Sequence, residues 1–131
     1  MSDLYREHIL DHYRNPRNQG TLEPNDGSFE DTNPLCGDRV RIDLRFDGEL
    51  VSDIRFSGRG CAISQAASSM LTELVKGHSL DEVKALSKDD LLDELGIPIS
   101  PARLKCALLP LKVLKASAYG FRGWPGDEDE R

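Results

Sequence analysis

The sequence predicts an α+β domain: a small antiparallel sheet of about three strands, with helices packed on one face. Two stretches between residues 40 and 56 carry apolar residues at alternate positions, joined at Asp47-Gly48, which predicts a hairpin. From residue 62 onward the apolar spacing changes to threes and fours, the helical period. Strands grouped first and helices after is the order of a segregated α+β domain, not of alternating βαβ units.

Taken in order, "SDLYREHILDHY" reads as an amphipathic helix with Leu4, Tyr5, Ile9, Leu10 and Tyr13 on neighbouring faces, capped by Ser2 or Asp3. The stretch from Arg14 to Pro34 is dense in Asn, Gly and Pro and reads as a long irregular segment. Val40, Ile42, Leu44 and Phe46 alternate with polar residues as a half-buried strand, and "LVSDIRFSG" returns through Ile54 and Phe56. Two strands alone are marginal, so a third is expected from "GTLE" or "GSFE". Ile63, Ala66, Ala67, Met70, Leu71, Leu74 and Val75 trace one helical stripe that stops at Gly77. Ser79 with Glu82 and Ser87 with Asp90 make capping boxes for two short helices, the second closed by Gly96. A last helix starts with Ser100 as cap and Pro101 at its first position, with Leu104, Ala107, Leu108, Leu111 and Leu114 on its stripe. Pro110 inside it removes the hydrogen bond to the Cys106 carbonyl, so irregular geometry, or a restarted helix, is expected between Cys106 and Leu111. Residues 1–121 read as one domain and 122–131 as an acidic disordered tail, with Trp124 part of that tail.

The chain has 131 residues, enough for one buried core. Seventeen basic against 23 acidic residues give a net charge of −6, which argues against non-specific nucleic-acid binding. No apolar run approaches the roughly 18 residues of a membrane span, and "MSDLYREHIL" lacks the apolar core of a signal peptide. A cytoplasmic protein is expected, with no membrane partner. In a reducing compartment its three cysteines stay thiols.

Those thiols sit at element edges. Cys36 precedes the first strand of the hairpin, Cys61 lies between the hairpin and a helix, and Cys106 falls in the first turns of the last helix. The two ends of the hairpin lie together, so Cys36 and Cys61 are expected as neighbours. Cys61 also approaches a helix N-terminus, which favours the thiolate, and "SGRGC" brings two glycines where backbone passes close to something. Three thiolates with the Asp38 carboxylate make a four-ligand set suited to zinc or to iron in a cluster. The carboxylate is its most easily displaced member. The plainer alternative is three small buried hydrophobes. His8 and His12, four apart, have metal-ligand spacing but no third ligand, which favours a capping or partner-facing role. Arg103 and Lys105 flank the third cysteine, either as thiolate-stabilising cations or as a solvated helix face.

"LYREHILDHYRNPRNQG", "NPLCGDRV", "GRGCAISQAASSMLTELVKG" and "PARLKCALL" together resemble the signature segments of the iron–sulfur cluster assembly scaffold family, the IscU/SufU/NifU N-terminal group. The resemblance runs from about Leu4 into the last helix. It implies the family's α+β fold, and Cys36, Asp38, Cys61 and Cys106 as metal or cluster ligands. Lys105 stands where IscU-type members carry a His, and "ISPARLKC" replaces their chaperone motif, which favours the SufU-like branch. Gly77 to Pro101, in turn, is too short to contain the insertion that SufU-type members carry between the second and third cysteines.

The resemblance implies an iron–sulfur cluster assembly scaffold and sulfur acceptor rather than a stand-alone enzyme. A cysteine desulfurase presents persulfide sulfur, and zinc or a nascent [2Fe–2S] cluster sits at the site of three cysteines and one aspartate. Cys36 is expected to be the sulfur acceptor because its loop is rich in Asn, Pro and Gly and should reach outward. A downstream cluster carrier or apo-protein then receives the product. The alternative is a zinc-dependent sulfurtransferase that relays sulfur without carrying a cluster.

Overall fold

The computed structural model describes residues 2–33, 37–96 and 99–119. Cys36, Trp124, the 122–131 tail and the domain end expected at residue 121 lie outside the described residues.

Three strands form one antiparallel sheet in the order β1-β2-β3, with β1 at Gly27–Asn33, β2 at Asp38–Asp47 and β3 at Leu50–Arg59. β1 comes from "GSFE" and not from "GTLE". Its register runs from Gly27 opposite Leu44 to Asn33 opposite Asp38. The β2–β3 turn is centred on Gly48 and Glu49, one residue later than the sequence suggests, with Gly48 at φ +63°. Glycine reaches that angle without the steric cost other residues meet.

Alternation does what the sequence predicts. Val40, Ile42, Leu44, Ile54 and Phe56 are all sealed on one face of the sheet. Helices α1 (Ser2–Arg14), α2 (Ala62–Val75), α3 (Leu80–Ala85), α4 (Lys88–Leu95) and α5 (Pro101–Tyr119) cover that side. α5 lies along β1 and β2, α2 lies on β3 and against α5, and α1 packs on α2. Burying each large apolar side chain between these layers contributes about 1.5–3 kcal/mol.

Local chemistry sets several boundaries as expected. Ser79 and Ser87 each accept from the backbone N–H three residues on, and Glu82 and Asp90 accept from the cap residues' own amides. Gly96 closes α4 in the left-handed conformation, at φ 73°.

Three expectations change. Ser2 and Asp3 fall inside the first turn of α1 rather than capping it. Ile9 is buried as expected, but toward the end of α1 the sealed position is His12, at 2% exposure, and not Tyr13, which is 46% exposed. α5 runs through Pro110 as one continuous helix, neither irregular nor restarted there. Proline deletes a single helical hydrogen bond. Cys106, Ala107, Leu109, Leu111, Val113 and Leu114 are buried on both sides of it and hold the two halves in one packed rod.

The irregular segment after α1 is tied to the sheet at both ends. Gly20 N–H donates to the Phe56 carbonyl at 2.8 Å and Phe56 N–H to the Asn18 carbonyl at 3.0 Å, on the outer edge of β3. Asp26 N–H reaches the Leu44 carbonyl at 2.7 Å. In between, Leu22 N–H donates to the Asp43 carboxylate and Arg45 donates to the Pro24 carbonyl, so the segment crosses the sheet face opposite the helices.

Candidate metal centre

The site forms where β2, α2 and α5 meet at one end of the sheet. Asp38 opens β2 on the same side as Val40 and Ile42, so the strand's alternation points it toward the helices, and it is 1% exposed. Cys61 occupies the N-cap of α2 in extended geometry, and its side chain makes no capping hydrogen bond. Cys106 sits in the second turn of α5 and is buried. One donor atom from each of these three residues lies within 4.8 Å of the others.

The contacts within the group are specific. Asp38 Oδ1 accepts the Cys61 backbone N–H at 3.0 Å, and Asp38 Oδ2 stands 3.9 Å from Cys61 Sγ. The carboxylate thus turns one oxygen to the helix N-terminus and the other to the thiol. Both glycines of "SGRGC" explain themselves here. Gly58 has φ +126°, and a Cβ on it would stand 2.0 Å from the Arg39 carbonyl oxygen, so it serves the β2–β3 pairing. Gly60 meets the site directly: a Cβ there would stand 2.5 Å from Asp38 Oδ1.

A buried carboxylate and two thiols converging on one point suit a cation, because ionised donors are costly to bury without one. Two thiolates on a tetrahedral zinc stand about 3.8 Å apart, given Zn–S bonds of about 2.3 Å. The described trio is therefore within about 1 Å of coordination spacing and supplies soft sulfur with one hard oxygen. The chemistry of the donor set fits zinc or cluster iron, with room in its count for one more ligand. Cys36, the expected fourth, stands two positions before Asp38 in the sequence, outside the described residues.

The reading of the three cysteines as isolated packing residues fails for Cys61 and Cys106, which are brought together with a carboxylate. The sequence did not signal that the Cys61 amide holds Asp38; a backbone donor leaves no trace in residue identity. Lys105 is exposed on α5. His8 and His12 lie apart from the group on α1. Their rings meet edge to face at 4.7 Å, and His12 is packed inside rather than partner-facing. An open cleft of about 430 Å³ lined by Arg17, Asn18, Glu73 and Lys76 includes none of the three donors.

Known proteins share this arrangement of chain. The family model for the NifU-like N-terminal domain matches residues 4–127. Zinc-dependent sulfurtransferase SufU of Bacillus subtilis is 41% identical over 133 residues, covering 88% of this chain and 89% of its own. That alignment is longer than this chain, so the relative carries residues with no counterpart here. The iron–sulfur cluster assembly scaffold protein IscU of Escherichia coli K12 is 38% identical, covering 90% and 94% of the two chains. Among solved structures, a NifU-like protein (N-terminal) from Brucella abortus superposes with a TM-score of 0.73 at 25% identity, over 88% of this chain and 92% of that one.

Proposed function

The chain belongs to the NifU-like N-terminal domain family, and from that premise we propose that it is an iron–sulfur cluster assembly scaffold and sulfur acceptor. The observation that carries this reading is the convergence of Asp38, Cys61 and Cys106, far apart in sequence, to within 4.8 Å. Cys36 completes the ligand set and is the acceptor: its Asn/Pro/Gly-rich surroundings suit a loop that reaches outward.

The acceptor step is a thiol exchange. The Cys36 thiolate attacks the terminal sulfur of a persulfide on a cysteine desulfurase. A new S–S bond forms on Cys36, the old one breaks, and the desulfurase cysteine leaves as thiolate. No external oxidant or reductant is needed. Asp38, the one oxygen donor, is the ligand most readily exchanged when sulfur or a cluster enters or leaves. A bound zinc ion supplies charge that keeps the thiols deprotonated. A nascent [2Fe–2S] cluster is cargo, passed to a downstream carrier or apo-protein.

A second reading, a zinc-dependent sulfurtransferase that never holds a cluster, is favoured by two observations. The 41%-identical relative bears that name, and Lys105 stands directly before Cys106 where IscU-type members carry a His. Metal analysis of anaerobically purified protein, then reconstitution with iron, cysteine and a desulfurase, separates the two. Iron with acid-labile sulfide and visible absorption supports the scaffold. About one zinc per chain, no absorption after reconstitution and persulfide on Cys36 supports the relay. Protein that holds neither metal nor persulfide overturns both.

A further inference from the structure

Gly60 carries no side chain, yet it decides where the Asp38 side chain can be. A Cβ built on Gly60 stands 2.5 Å from Asp38 Oδ1, 2.8 Å from its Cγ and 3.2 Å from its Cβ. All three nearest atoms belong to that one side chain. The backbone itself does not demand glycine, because Gly60 is not among the residues at positive φ. Gly58, two residues earlier, is the contrast: it has φ +126° and its nearest neighbours are backbone atoms of Arg39 and Val40. One glycine serves the sheet, and the other serves a carboxylate.

We propose that Gly60 is the positioning residue for the Asp38 ligand: its missing side chain lets Asp38 Oδ1 take the Cys61 N–H and so turns Oδ2 toward the Cys61 sulfur. The proposal rests on the metal-site reading and extends it to a residue that donates nothing to the metal. The two contacts, 3.0 Å from Cys61 N to Oδ1 and 3.9 Å from Sγ to Oδ2, exist together only while the carboxylate stays in that place. A methyl group at residue 60 displaces it. Asp38 is 1% exposed, so the displaced side chain has no open solvent to rotate into. The site then keeps its sulfurs and loses its oxygen.

The test is a double-mutant cycle read on the metal and not on sulfur transfer. Zinc affinity is measured by chelator competition, and the 113Cd resonance of cadmium-loaded protein reports the donor set. These are compared for wild type, Gly60→Ala, Asp38→Ala and the double variant. Residues that orient metal ligands typically change affinity by about 10–100-fold when altered. Gly60→Ala is expected to weaken binding by about tenfold and to move the cadmium resonance in the same direction as Asp38→Ala. In the Asp38→Ala background it is expected to add nothing.

If Gly60→Ala keeps wild-type affinity and resonance while Asp38→Ala loses both, Gly60 does not position the ligand and the metal-site reading stands. An equal further loss in the Asp38→Ala background also overturns the proposal, since Gly60 then acts on something else. A wild type that takes no metal overturns the site and the proposal together. Should Gly60→Ala not fold, the double variant decides: folding rescued by removing the Asp38 carboxylate supports the coupling, and continued unfolding overturns it.

Discussion

His12 Nδ1 stands 2.7 Å from the Ser69 hydroxyl, a contact between α1 and α2 made by two residues that are both out of solvent. The same hydroxyl accepts the Arg17 backbone N–H at 2.9 Å. Three residues on, Thr72 takes up the Asn18 side-chain amide at 3.0 Å. One face of α2 thus holds both the end of α1 and the start of the segment that crosses the sheet. The small polar side chains of Ser69 and Thr72 let α1 and the following segment approach α2 closely while bonding His12, the Arg17 amide and Asn18.

The first prediction concerns pH. Burial lowers the His12 pKa from its ordinary value of 6.5, and the charges of Arg17 and His8 lower it further against the opposing pull of Glu73 and Asp11. The folded state therefore resists a proton that the unfolded chain accepts at about pH 6.5. Stability should be full above that value and fall as pH drops below it toward the folded pKa. Urea midpoints at several pH values between 7.5 and 5 check this. His12→Gln should remove most of the slope in that window at a cost of about 1 kcal/mol.

Asp43 supplies the second. Its carboxylate is 1% exposed on the sheet face away from the helices, where it accepts from Leu22 N–H at 3.0 Å, Ser28 Oγ at 2.6 Å and Arg41 Nε at 2.9 Å. Burial alone raises its pKa, but those hydrogen bonds and the Arg41 charge outweigh burial and hold it below the usual value. Stability from this group is present above about pH 4 and is lost as pH falls through the lowered folded value. Asp43→Ala takes the acceptor from the Leu22 amide and the Ser28 hydroxyl, while part-exposed Arg41 can turn to water, and should cost about 2 kcal/mol at neutral pH. Urea unfolding measures it, and a loss below about 0.5 kcal/mol would show that the crossing segment does not depend on this acid.

What the sequence reveals and what it hides divide by range. The capping boxes at Ser79 and Ser87, Pro101 at the start of α5 and the alternation through Ile42 and Phe56 are written in neighbours a few residues apart, and each stands as read. The candidate site is legible for a different reason: a thiol or a carboxylate at an element boundary has few roles, and Asp38 and Cys61 each occupy one, with Cys106 in the second turn of α5. β1 is half legible. "GSFEDTN" has a single large apolar residue, and pairing with β2 rather than propensity makes it a strand. Asp43 and His12 are hidden, because what buries them arrives from elsewhere in the chain. Alternation puts Asp43 on a polar outer face, and only the 18–26 segment turns that face inward.

The capping boxes give a third prediction. Ser79→Ala and Ser87→Ala each remove a side-chain acceptor for the N–H three residues on, at 3.2 Å in both helices. Each should lower stability by about 1 kcal/mol. The two residues cap separate helices, so the double variant should lose the sum to within about 0.5 kcal/mol. Thermal or urea melts of the three variants decide whether α3 and α4 unfold with the rest of the domain or as one local unit with shared loss.

Pro110 gives the last. It lies buried inside α5, four residues after Cys106, and has no N–H to offer the Cys106 carbonyl. Because the helix is continuous there, alanine fits the same backbone and restores the N–H. In an open helix interior the exchange gains about 3 kcal/mol. Here it also loses the burial of about two methylene groups, roughly 1.6 kcal/mol, and the restraint proline places on the unfolded chain, about 0.5 kcal/mol. Pro110→Ala should therefore raise stability by about 1 kcal/mol in urea melts. Amide exchange around Cys106 should slow by about fivefold, the same free energy expressed as local opening. Unchanged or faster exchange would mean that packing, and not the helical hydrogen bond that proline omits, limits how firmly α5 holds Cys106 in place.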